Sequence, residues 1–226
     1  MNIRARLELV KNNSLNARQK ASDPHSMGNR SFYETVIESQ HPEWSLTDRL
    51  TWGALLDDEM EWQYRIHQDL MTMIDLSVIT QLDPQQAQDQ VRHVVNRLLD
   101  DYKAPLNSRV RQVLCKNIED ELFGLGPLEP LLNDPRVSDI LINGHRRVFV
   151  ERHGKMEMTP IRFRDDAHLL KIIEKVVSKV GRRIDESVPM VDARLSDGSR
   201  FNAIIPPLAL DGPSVSIRRF PAEHLK

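Results

Sequence analysis

The sequence predicts an α+β protein. Behind a disordered leader it places a three-helix bundle, then a sandwich-like domain with a mixed or antiparallel sheet and one covering helix. Three observations predict this. Amphipathic stripes with a period near 3.6 recur between Leu46 and Leu122, separated by proline-marked breaks. Past Gly124 the period falls toward two, and Asn143-Gly144 separates two such stretches as a hairpin signal. One more helical stripe, Leu169 to Val180, stands between the early strands and the late ones.

Residues 1–43 are polar and aperiodic, with only short apolar clusters at Phe32-Tyr33 and Val36-Ile37, and read as a disordered leader. The bundle is expected over 44–123. Trp62, Ile66, Leu70, Met73 and Ile74 line its first long helix. Asp83 and Pro84 then supply an N-cap and an N1 proline ahead of Val91, Val94, Val95, Leu98, Leu99 and Tyr102. Pro105 ends that stripe, and Asn107 or Ser108 can cap a third helix carrying Val110, Val113, Leu114, Ile118 and Leu122. Residues 124–133, rich in Gly, Pro and Leu, read as a hinge.

The α+β domain is expected over 134–220. Its strands are predicted near 139–142, 147–151, 155–159, 190–195, 200–205 and 214–219. Asp165 can cap the covering helix, and Gly181 can end it.

Bulk properties narrow the function classes. The single cysteine, Cys115, excludes an internal disulfide framework and fits a reducing cytoplasm. Met1 to Val10 lacks the apolar core of a secretory signal, and no run approaches the roughly 18 apolar residues of a membrane span. Net charge is −2, but residues 134–226 hold 17 Lys+Arg against 13 Asp+Glu. That local excess suits an anion site better than a nucleic-acid footprint, which would be far more basic.

The chemistry-bearing stretch is Val191-Asp192-Ala193-Arg194-Leu195-Ser196-Asp197-Gly198-Ser199-Arg200-Phe201-Asn202, followed by Val215-Ser216-Ile217-Arg218-Arg219-Phe220. Guanidinium groups at the ends of short strands offer always-charged, bidentate donors to an anion. The same arginines could instead pair with Asp192, Asp197 or Asp211 on a solvated rim. The sequence contains no G-x-x-x-x-G-K-[ST] phosphate loop.

Together with Phe123-Gly124-Leu125-Gly126-Pro127-Leu128-Glu129-Pro130-Leu131-Leu132 and Val137-Ser138-Asp139-Ile140-Leu141-Ile142-Asn143-Gly144, these segments resemble the secretion-ATPase superfamily of type II and type IV secretion and type IV pilus assembly. The match is best to its Tad/CpaF branch and covers about residues 60–226. The resemblance implies a hexameric cytoplasmic motor held peripherally at the inner membrane by a platform protein. An N-terminal domain would lead, through a linker beginning at 221–226, to a RecA-like domain that binds ATP and Mg. It further implies that Arg200 and Arg218 reach the nucleotide's terminal phosphate, with Arg194 and Arg219 as weaker candidates. No catalytic residue and no metal ligand is expected in this chain, and without a phosphate loop it is expected not to hydrolyse ATP alone. The alternative is a stand-alone protein-interaction module.

Other residues admit plainer readings. His145 and His153 lack partners at ligand spacing and read as structural or surface histidines. Cys115 reads as a buried, inert thiol. Asp57-Asp58-Glu59 and Glu61 read as a solvated helix face, with an acidic dock as the alternative. Trp44, Trp52 and Trp62 read as bundle core, Trp44 being the best candidate for an interface anchor. Arg182-Arg183 suit charge compensation at a helix C-terminus, or a contact to a neighbouring subunit.

Overall fold

The computed structural model describes residues 44–74, 79 and 81–219. The leader expected over 1–43 and the linker expected over 221–226 lie outside the described residues. A short helix α1 (Leu46–Thr51) precedes three long ones, α2 (Asp57–Met73), α3 (Pro84–Asp101) and α4 (Ser108–Phe123). A 3-10 turn at Gly126–Leu128 and a single helical turn α5 (Glu129–Leu132) lead into β1 (Val137–Asn143), β2 (Arg147–Arg152) and β3 (Lys155–Met158). The covering helix α6 (Asp166–Lys179) follows, then β4 (Met190–Arg194), β5 (Arg200–Ile204) and β6 (Ser214–Arg218).

The capping chemistry acts where the sequence places it. Asp83 accepts from the Gln85 N–H at 2.9 Å with Pro84 at N1, and Asn107 accepts from Val110 N–H at 3.0 Å. Helix α2 starts differently. Its N-cap is Leu56, which has no side-chain acceptor, so the Glu59 carboxylate folds back onto the Leu56 N–H at 2.7 Å. Glu59 also pairs with Arg49 at 3.1 Å, out of solvent. The expected solvated acidic face is therefore interrupted: Glu59 closes a helix start, and Asp57 pairs with Arg162 at 2.5 Å. Leu55, Ile66, Leu70, Val91, Val95, Leu99, Val110, Leu114 and Ile118 form the bundle core.

All six strands pair antiparallel in one sheet, in the order β3-β2-β1-β6-β5-β4. The first hairpin closes over Gly144 to Arg146, with Asn143 opposite Arg147 as the last pair and Gly144 at φ +64°. One residue more than the simplest Asn-Gly turn is used, so Asn143 remains on the strand. Inward residues of the sheet, among them Ile140, Ile142, Val148, Val150, Phe201, Ala203, Val215 and Ile217, pack against Leu169, Ile172, Ile173, Val176 and Val177 of α6. Asp165 caps α6 through the His168 N–H at 2.7 Å. At the other end Gly181 (φ +67°) turns the chain so that Arg182 N–H reaches Val177 O at 2.9 Å.

The segment read as a hinge is built into the sheet domain. Leu128 and Leu131 are buried in the sheet core. The Glu129 carboxylate accepts from Leu125 N–H at 2.8 Å, and it lies so close to Gly124 that a Cβ there would meet it at 2.4 Å. Trp52 departs from its expected place in the bundle core. It packs against the sheet core, with the Arg152 guanidinium 4.1 Å above its ring. Trp62 does lie with the bundle, its ring 6.3 Å from that of Tyr102.

Candidate functional site: an arginine row at one end of the sheet

Antiparallel register brings three of the four predicted arginines together. Arg194 stands opposite Arg200, and Arg200 opposite Arg218. The same row continues through Asp139 to Glu151. Side chains directly opposite share a face, about 4.5–5.5 Å apart at Cβ. The flanking residues Ala193, Phe201, Ile217 and Ile140 are buried toward α6, so the arginines stand on the face that α6 does not cover. Strand alternation thus produces a row of three exposed guanidinium groups followed by two half-buried carboxylates.

The three guanidiniums are not equivalent. Arg200 grips Asp192 as a fork, Nε to Oδ1 at 3.2 Å and Nη2 to Oδ2 at 2.6 Å, with both side chains largely in water. That hydrogen bond, reinforced by charge, holds the Asp192 carboxyl below its ordinary range and raises Arg200 above its own. The Arg218 side chain has no hydrogen-bond or ion-pair partner among the described residues. A shallow cleft of about 360 Å³ opens beside the row, lined by Val180, Arg182, Asp192, Ala193, Arg194 and Arg200. Three arginines around one aspartate leave positive charge in excess there, the chemistry of an anion site.

Arg219 is placed elsewhere. It follows Arg218 on the opposite face, where its guanidinium donates to Asp134 O at 2.5 Å and Val137 O at 3.2 Å. It clamps the entry to β1 rather than joining the row. Arg182 was foreseeable only as a residue following a helix. The left-handed turn at Gly181 delivers it to the cleft, a consequence of chain reversal that no local spacing encodes.

Asp134, beneath the Arg219 clamp, accepts from Arg136 at 2.9 Å and from Arg152 at 2.7 Å. Hydrogen bonds from Arg136, foremost, and the Arg152 charge hold its carboxyl down at about 2. Cys115 is buried, and desolvation pushes its thiol up to about 11, so it offers no nucleophile. His145 is bonded to Asp166, Nδ1 to Oδ1 at 2.7 Å, and His153 occupies a left-handed turn position at φ 50°.

Residues 121–226 match the family model described as "Type II/IV secretion system protein". A putative conjugal transfer protein of Mycobacterium tuberculosis (strain CDC 1551 / Oshkosh) is 31% identical over 127 residues, covering 54% of this chain and 34% of that protein. The type IV secretion system protein VirB11 of Brucella suis biovar 1 is 30% identical over 120 residues, covering 53% of this chain and 32% of that protein. The crystal structure of the Brucella suis VirB11 ATPase in complex with sulphate aligns with a TM-score of 0.41 at 29% identity, covering 45% of this chain and 31% of that one. The chain thus spans about a third of the length of these relatives. Over residues 121–226, just under half of the chain, it is thus similar to the type II/IV secretion system protein family.

Proposed function

We propose that this chain is the N-terminal part of a secretion ATPase of the Tad/CpaF type, acting in pilus assembly or secretion. In this reading Arg200 and Arg218 contact the terminal phosphate of Mg-ATP held by a RecA-like domain, with Arg194 alongside and Arg219 setting the neighbouring backbone. The observation that carries the reading is the cross-strand pairing of Arg200 with Arg218 on the uncovered face, beside the cationic cleft. Two guanidiniums held side by side on a rigid sheet suit the charge of a terminal phosphate, and would report its presence by drawing two domains together. The motor would be a cytoplasmic homo-hexamer, peripheral at the inner membrane, passing this closure to a platform protein through the helical bundle. No helix among the described residues is long and apolar enough to cross a membrane, which is compatible with that placement.

The test is ATP hydrolysis by the protein that joins these residues to their nucleotide domain. Arg200→Ala and Arg218→Ala are each expected to lower kcat by about tenfold or more, the scale for losing a charge-stabilising donor. Unchanged rates in both would sink the reading.

A second reading, a non-catalytic interaction module, draws on a different observation. The Arg200 fork is already occupied by Asp192, and Met190, Leu208 and Leu210 are exposed, Leu210 at 92%. That reading expects both arginine variants to be silent and substitutions on the bundle surface to abolish partner binding.

A further inference from the structure

A second cavity, of about 490 Å³, lies where the helical bundle meets the sheet domain. The apolar part of its wall is made by Trp52, Leu55, Met60 and Phe123 from the bundle side and by Ile161 and Ile172 from the sheet side. Its volume falls inside the range of roughly 300–1,000 Å³ typical of small-molecule sites.

The polar part of the wall has an unbalanced charge. Four basic side chains line it: Arg162, Arg164, Lys171 and Lys175. Arg162 is matched by Asp57 at 2.5 Å and Arg164 by Asp165 at 2.8 Å. The carboxylate in the wall itself, Glu121, is bonded to His168 at 2.8 Å, both side chains being mostly out of solvent. Lys175 donates to main-chain oxygens at the end of α4, Glu121 O at 3.0 Å and Leu122 O at 3.3 Å. Among the described residues neither Lys171 nor Lys175 has a carboxylate within ion-pair distance. They stand four apart on α6, one turn above the other, on the stripe that also carries His168.

We infer that this cavity is a binding site for a small organic anion with an apolar body. The charged head would sit on Lys171 and Lys175, and the body against Trp52, Leu55 and Phe123. Two ammonium groups with no ion-pair partner among the described residues, in the wall of a largely apolar cavity, supply both halves of that recognition. Because the wall is shared, an occupant would tie bundle to sheet and raise the thermal midpoint with concentration. The inference is independent of the nucleotide reading, since none of the row arginines lines this cavity.

The test uses the full 226-residue chain and the fluorescent anion 8-anilinonaphthalene-1-sulfonate as probe. The expected result is saturable 1:1 binding. Lys171→Glu, an exposed position whose change spares the fold, should weaken it by about tenfold or more, and Lys175→Met should do likewise. Arg200→Ala and Arg218→Ala should leave it unchanged. Competition then separates the sources of the anion: displacement by adenosine monophosphate assigns a phosphate head, displacement by laurate a carboxylate head. Non-saturable binding, or an affinity indifferent to Lys171→Glu, overturns the inference. So does an affinity lost in Arg200→Ala, because the probe would then sit on the arginine row.

Discussion

Arg200 and Arg218 face each other across the β5–β6 ladder, two like charges in a register position where opposite charges would stabilise the sheet. Like charges directly opposite one another oppose strand pairing. The fold therefore gains nothing from the pair, whereas an anion lying across both residues would relieve their repulsion. Arg218→Thr, which also supplies a better strand former, is expected to leave the thermal midpoint unchanged or raise it by about 1–3 °C. A calorimetric midpoint lowered by several degrees would show that Arg218 serves the fold instead.

Trp52 is expected to behave in the opposite way. Its ring packs on the sheet core and carries the Arg152 guanidinium at 4.1 Å, so one side chain couples the end of α1 to β2. Trp52→Ala should cost about 2–3 kcal/mol in urea unfolding, less than for a fully enclosed tryptophan because Trp52 keeps one edge in water. Trp52→Phe, which retains a ring under Arg152, should recover about half of that. Equal losses in the two variants would show that indole shape, not the cation–ring contact, sets the cost.

Most elements were legible because each carries its own local signal. Asp83-Pro84, Asn107 and Asp165 announce helix starts in three or four residues, and the caps form as their chemistry dictates. The arginine row was half legible. Strand ends at Arg194, Arg200 and Arg218 could be read, but their alignment depends on β6 pairing with both β1 and β5, a non-local choice. Arg219 lies off the row for an elementary reason: adjacent strand residues face opposite sides, so Arg218 and Arg219 point to different faces. Trp52 and Arg182 were illegible because their places are set by how the bundle meets the sheet and by one left-handed turn.

Cys115 offers a titration with a clear sign. Desolvation, with Glu119 adding to it, raises its thiol from 9.0 to about 11. At pH 8 the native thiol should react with a disulfide reagent about a hundredfold more slowly than the same thiol in denaturant. Since the folded state holds this proton more tightly, the associated stability is present below pH 9 and declines as pH rises toward 11. Equal labelling rates in native and denatured chains would contradict the burial.

Asp134 titrates at the other extreme. The carboxylate accepts from Arg136 and Arg152, and its pKa of about 2 lies below the ordinary 3.8. The charged form therefore favours the folded state. Its contribution is complete above pH 3.8 and disappears as pH falls toward 2. Asp134→Asn is expected to lose about 1.5–3 kcal/mol at pH 5.5, the scale of hydrogen bonds to a charged group. The difference between wild type and variant in urea unfolding should then shrink between pH 4 and pH 2, as the wild-type carboxyl takes up its proton. A difference that stays constant over that interval would mean that Asp134 holds the β1 entry through shape and backbone contacts, with its charge playing no part.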